Sequence, residues 1–502
     1  MKHALPQTIE NPSRHQTDCD GPGSVEHGRQ VANTLIENML KEQRPVLHQQ
    51  PQLTIPAFQP RSNDLPFPPG FAGHLAKQIF QSSYLSVREV AIAASLGVLA
   101  GICGRAFETP TGKDLALFII LVGRSGTGKD TIHESIHSLI KNANLDAASY
   151  FVRSQDFASG PALHKELLAR PGFLNLQGEF GRRLKAMSIL NNAPMQELRT
   201  TMTNCYAKDF LAGKSYSDAD KSLQGVKWPS LSFLGETTPE TFAEALTPDM
   251  MEDGFMSRFL VINYNGLRPA PNHNRERLVF SPQVLEHWRM LISRALPYQG
   301  TANTPASRIA VEFLHEDVSE KLRHFELECG DHINQTEDES ERQVWNRAHL
   351  KALKIACLLA VADNPIMPKV DLGHATWAIT LVRADISSFN AKKKNGEIGN
   401  SDDTRVRKLW ALITKYVTEQ PAPSYKISED MRNAGVVPRS YLQVQISKHS
   451  AFNNHKLGQS AALDSTLRSM IASGYLNEVS KVDAVERYGT YGRCFRILQI
   501  PA

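Results

Sequence analysis

Leu115–Ile140, LALFIILVGRSGTGKDTIHESIHSLI, decides the fold of this 502-residue chain. Leu117–Val122 is an apolar, strand-like run. It ends in a glycine-punctuated turn and gives way to a helical pattern. Gly123, Gly128 and Lys129 satisfy the spacing G-x-x-x-x-G-K, with Arg124, Ser125, Gly126 and Thr127 between them. Residues without side-chain bulk let backbone N–H groups converge on a triphosphate, and the following helix adds the positive end of its dipole. Lys129 is placed to reach the β- and γ-phosphates. The stretch therefore predicts an α/β fold with a parallel sheet, flanking helices and a phosphate loop at its centre, with ATP and Mg²⁺ as ligands. After the lysine, the pattern wants a hydroxyl for Mg²⁺. Here it has Asp130, with Thr131 behind it; a carboxylate is also a hard oxygen donor, so both are candidate Mg²⁺ ligands.

The chain length allows two to four domains. Hydrophobic content of 41% and charged content of 22% are those of an ordinary soluble protein. The longest apolar run, Val90–Cys103, is shorter than the roughly 20 residues of a membrane span, so it reads as a buried helix and no membrane partner is expected. Six cysteines without a C-x-x-C pair suit a reducing cytosol. Residues 401–502 hold 14 Lys and Arg against 9 Asp and Glu, a modest basic excess that points toward nucleic acid.

In chain order, residues 1–62 read as a polar arm with one helix at Glu26–Glu42. Helices are expected at Phe71–Phe80 and Ser86–Gly104, the second opened by a Ser86/Glu89 capping box. After the phosphate-loop helix, Gly172–Leu176 leads into Gln177-Gly178-Glu179-Phe180-Gly181. A second acidic motif, Asp-Glu after an apolar strand, is expected there. Gly178 occupies the Asp place, and Glu179 is the candidate water-activating base; the plain alternative is an exposed loop acid. One hypothesis links the two departures: Asp130 replaces the carboxylate lost at Gly178. The rival is a site that binds ATP without hydrolysing it.

Tyr206–Trp228 carries Lys208, Lys214, Lys221 and Lys227. It reads either as a hairpin whose lysines grip a phosphate backbone or as a solvated loop. Pro229–Leu234 is the next buried strand; Thr237 or Thr238 at its end is the γ-phosphate sensor candidate. Arg258, in a turn before the strand starting at Phe259, is read as pointing outward to a neighbouring copy's nucleotide. Its competing reading is a structural salt bridge. Residues 275–400 read as a helical lid. From 401 on, helices followed by a strand pair suggest a winged helix-turn-helix. There Leu463–Ser473 with Arg468 would enter the major groove, and Arg487 and Arg493 would approach phosphates; such modules also dock proteins.

The set PPGF at 68–71, GRSGTGKD, GEFG, PSLSFLGETTPE at 229–240 and DGFMSRF at 253–259 resembles the YfjI-like family of primase/helicase-type P-loop ATPases of prophages, plasmids and genomic islands, over residues 63–390. The resemblance implies an AAA+/RecA-like core and a DNA helicase or translocase ATPase in mobile-element replication. It also implies single-stranded or forked DNA as partner, a homo-oligomer such as a hexameric ring, and a separate primase or initiator. The Ser257-Arg258-Phe259 turn also resembles the arginine-finger turn of ring-forming replicative helicases, which implies Arg258 as a finger. The helix at 346–356 is similar to the sensor helix of the same ring ATPases, which implies Arg347 as a second phosphate sensor. Family members read Asp-Glu at the second acidic motif and Lys-Ser at the end of the loop; this chain departs at both. The alternatives are a non-hydrolysing, ATP-binding replication initiator or regulator, and a small-molecule kinase, for which no acceptor pocket is evident.

Overall fold

Phe118–Gly123 (β1) is fully buried because both faces of its sheet are covered, which is why its sequence is a continuous apolar run rather than an alternation. The computed structural model describes residues 65–499 apart from 190, 219, 221, 276–279, 301–306, 395–401, 420–424, 426, 448 and 454–456. The arm at 1–62, its expected helix and Lys221 lie outside the described residues.

β1 joins Val152–Arg153 (β2), Gly172–Gln177 (β3), Ser230–Thr237 (β4) and Phe259–Tyr264 (β5) in a five-stranded sheet of order β2-β3-β4-β1-β5, all pairs parallel. All carboxyl ends therefore lie along one edge, and β4 separates β1 from β3. Gly70–Ser82 (α1) precedes Arg88–Cys103 (α2), every residue of which from Val90 onward is buried. A Cβ on Gly97 would lie 2.7 Å from Leu234 Cδ2, and one on Gly101 would lie 2.5 Å from Leu174 Cβ. These two glycines, one turn apart, let the α2 backbone lie directly on β4 and β3. The capping box is not formed: Val87 is the N-cap residue, and Ser86 Oγ donates to Ser83 O at 3.3 Å.

Thr131–Asn142 (α3) leaves the glycine loop and packs beside α2. Phe180–Met187 (α4) and Ala193–Cys205 (α5) both pack on β4. Phe118, Phe180, Phe233 and Phe259 form an aromatic cluster with centroid separations of 4.4–6.3 Å. Ala348–Asp363 (α6) and the other helices of the expected lid share one apolar core with the sheet.

Residues 402–499 have their own core around Leu409, Ile413, Leu442, Leu463 and Phe495. Asp402–Thr418 (α7) is followed by Val436–Pro438 (β6), Arg439–Ile446 (α8), Gln459–Ala472 (α9), Leu476–Glu478 (β7), Lys481–Tyr488 (α10) and Cys494–Ile497 (β8). The sheet order is β6-β8-β7, antiparallel. The sequence pattern misses β6, and of the stretch 487–498, which reads as one strand, only Cys494–Ile497 is extended in the sheet. Arg487 lies on α10, whose N-cap Ser480 accepts from Asp483 N and whose left-handed Gly489 stops the helix.

Candidate nucleotide site

The loop Gly123–Asp130 is held open by its own bonds. Gly126 and Gly128 take left-handed backbone (φ +75° and +81°), which a side chain would strain. Gly128 also packs against Leu85, 2.7 Å from where its Cβ would be. Thr127 Oγ1 donates to Arg124 O at 2.8 Å, and Lys129 Nζ donates to Gly123 O at 2.9 Å and Arg124 O at 3.2 Å. The ammonium thus sits over the loop's own carbonyls, and the N-terminal turn of α3 follows at Thr131.

A cavity of about 380 Å³ opens at the carboxyl ends of the strands, lined by Ser125, Gly126, Lys129, Asp130, Glu179 and Glu236 among others. That edge is where open parallel sheets bind ligands. Thr237, Thr238 and Thr241 contribute hydroxyls, and Arg182 a guanidinium. Asp130 is exposed, whereas Thr131 is buried and does not line the cavity. Arg124 is exposed on the loop. Thr238 Oγ1 caps the helix Pro239–Ala245, and Thr237 Oγ1 donates to Thr238 O at 3.3 Å.

Glu179 has left-handed backbone (φ 47°, ψ 36°) and a side chain 75% exposed, 3.4 Å from Arg182. A non-glycine residue held there stores strain of the kind found at functional turns. Glu236, which the sequence pattern passes over in favour of Thr237, is the buried carboxyl of the cavity, 7% exposed. Its Oε2 has no hydrogen-bond partner. Burial pushes its carboxyl up to about 7; Lys129 pulls it down, and Asp130 and Glu179 push it further up. The available signal was an acid inside an otherwise apolar and small-residue strand. Arg268, whose Nη1 lies 3.8 Å from a Cβ built on Gly126, is a second cation beside the loop that the pattern misses.

The donor set suits Mg²⁺. Among the described residues no group of three or more His, Cys, Asp or Glu is placed to hold a metal unaided. Mg²⁺ bound with a nucleotide needs only one or two carboxylates plus phosphate oxygens and water. Asp130, Glu179 and Glu236 are available at the cavity, with Oε2 of Glu236 still lacking a partner.

The other candidate residues lie away from the cavity. Arg258 does not point outward. It is buried, its Nη1 donates to Gly254 O, and burial and the neighbouring Arg347 lower its pKa against the pull of Tyr206 and Asp253. It immediately precedes β5, so it lies at the sheet's amino end, opposite the cavity. Arg347, the N-cap residue of α6, is beside Arg258 and outside the cavity lining. Phe210–Leu211 and Val226–Lys227 do form an antiparallel hairpin before β4. Lys214 is tied to Glu197 at 2.6 Å, however, and Asp218 and Asp220 occupy the exposed tip. Lys227 is exposed at the base. In the C-terminal domain Arg468 is exposed on α9. Arg487 pairs with Asp483 at 3.2 Å, and Arg493 is held by Glu478 at 2.6 Å and Asp464 at 3.1 Å.

No family profile and no curated protein matches the chain. A chain in the structure of Drosophila ORC bound to DNA aligns over 93% of this chain and 96% of its own, at 9% identity and a TM-score of 0.22. That likeness is too slight to carry either fold or function. Among the described residues no helix is long and apolar enough to cross a membrane.

Proposed function

We propose that this chain is a P-loop ATPase of the AAA+/RecA-like kind that acts on DNA as a helicase- or translocase-type motor, the role the YfjI-like resemblance implies. The observation that carries the reading is convergence. A glycine loop with Lys129, the N-terminus of α3 and the carboxyl groups of Glu179 and Glu236 meet at one cavity on the carboxyl edge of a parallel sheet. The loop amides and Lys129 bind the triphosphate; Mg²⁺, held by the cavity's carboxylates Asp130 and Glu236, would neutralise charge on its oxygens. Glu179 takes a proton from water as the water oxygen bonds to the γ-phosphorus. The bond to the β–γ bridging oxygen breaks, releasing ADP and phosphate.

The helix–strand order of 402–499 supports a winged helix-turn-helix with α9 as the groove helix. Arg258 and Arg347 lie at the far end of the sheet and outside this chain's own cavity, so a ring rests on the resemblance alone. The non-hydrolysing reading is favoured by one observation: Thr131, the first hydroxyl after the loop lysine, is buried and does not line the cavity.

ATP binding and hydrolysis, with and without single-stranded DNA, test the proposal together with a mass measurement. Lys129→Ala is expected to abolish nucleotide binding. Glu179→Gln is expected to keep binding and lose about 10²- to 10⁴-fold in turnover. Wild-type binding with no turnover under any DNA condition selects the non-hydrolysing reading; equal nucleotide binding by wild type and Lys129→Ala removes the site altogether.

A further inference from the structure

Gln177 pairs with Gly235 across β3 and β4, so Gly178 and Glu236 end adjacent strands side by side. A Cβ built on Gly178 would lie 3.6 Å from His133 Nε2 and 3.8 Å from Glu236 Oε1, ordinary van der Waals separations. His133 Nε2, on the first turn of α3, and Glu236 Oε2 are each buried without a hydrogen-bond partner. The space that a side chain at 178 would enter is therefore flanked by two polar groups from neighbouring elements. A buried carboxyl without a partner is costly, and it persists where a ligand supplies the partner.

Resting on the reading of this cavity as a magnesium–triphosphate site, we propose that Glu236 supplies, from the neighbouring strand, the metal-shell carboxylate that Gly178 lacks, with His133 Nε2 holding the same shell from α3. Glu236 is then a positioning residue. It orients water around the cation while Glu179, exposed at the turn, remains the base. Asp130 is the rival donor. It is exposed at the end of the loop, and its place at the head of α3 puts it on the solvent side of the cavity.

The test titrates Mg²⁺ against binding of a fluorescent ATP analogue by the full chain and measures ATP turnover alongside. Glu236→Gln keeps the side chain's shape, and a thermal melt checks that the variant folds. It is expected to raise the Mg²⁺ concentration for half-maximal nucleotide binding about 10- to 100-fold. Gly178→Asp added to Glu236→Gln returns the acid to the adjoining strand, where the spacing admits a side chain. The double variant is expected to regain a near wild-type Mg²⁺ requirement. An unchanged Mg²⁺ requirement in Glu236→Gln, or a double variant no better than the single one, overturns the proposal. So does Asp130→Ala producing the whole shift by itself. A wild-type chain that binds no nucleotide removes the reading of the cavity and the inference together, whereas a binding wild type with an unaffected Glu236→Gln removes the inference alone.

Discussion

Glu236 lets a single side chain set a pH dependence. Its carboxyl rises from an ordinary 4.5 to about 7, first through burial. The folded chain therefore holds this proton more tightly than the unfolded chain does. Below pH 4.5 both states are protonated and the group costs nothing. The cost grows as pH rises from 4.5 to about 7 and is level above that. Glu236→Gln is therefore expected to stabilise the ligand-free chain by about 1–3 kcal/mol at pH 8. By pH 4 the gain should shrink to nothing in the same urea titration. A gain of the same size at both pH values would sink the linkage. The glycine loop was legible because its spacing is local. Glu236 was not, because GETT offers three polar residues and only the strand register decides which one is buried. Arg258 was misread for a related reason: spacing gives its place in the chain but not the inward turn of its guanidinium onto Gly254.

At the scale of elements, α6 is tied to the amino ends of the sheet by two lysines. Lys354 Nζ lies 2.5 Å from Asp114 Oδ1 and donates to Ala116 O at 2.9 Å, and the pair is buried. Lys351 Nζ donates to Phe259 O at 3.0 Å and reaches Asp385 at 2.7 Å. Burial lowers the Lys354 pKa while Asp114 holds it up. Removing one partner strands a buried charge. Lys354→Met is thus expected to cost about 3–5 kcal/mol by denaturant unfolding, while Lys354→Met with Asp114→Asn recovers much of the loss. If the double variant is as unstable as the single one, the lysine acts through its packing alone. The helix itself was legible from its apolar periodicity. Its lysines were not, since charges three apart on one face ordinarily mark the solvent side; only the buried carboxylates across from them reverse that reading.

For the whole molecule, the proposed DNA-binding reading must contend with positive charge that is already engaged. The C-terminal domain carries the basic excess, yet Asp464 is shared by Arg439 at 2.8 Å and Arg493 at 3.1 Å, and Glu478 takes the other face of Arg493. Hydrogen bonding to Arg439 holds the Asp464 carboxyl below its usual range, so the cluster stays ionised at neutral pH. A phosphate approaching Arg493 must displace two carboxylates; one approaching exposed Arg468 meets only the milder field of Asp464. Each phosphate contact contributes a slope of about −0.9 to log affinity against log salt. On the proposed DNA-binding reading, Arg468→Ala should flatten the slope for duplex DNA by about one unit, while Arg493→Ala leaves it nearly unchanged. Equal flattening by both would mean that the Asp464 cluster opens on DNA, making α9 and β8 one contact surface. No change from either would move the DNA-binding surface elsewhere, with the exposed Lys227 at the hairpin base the next cation to test.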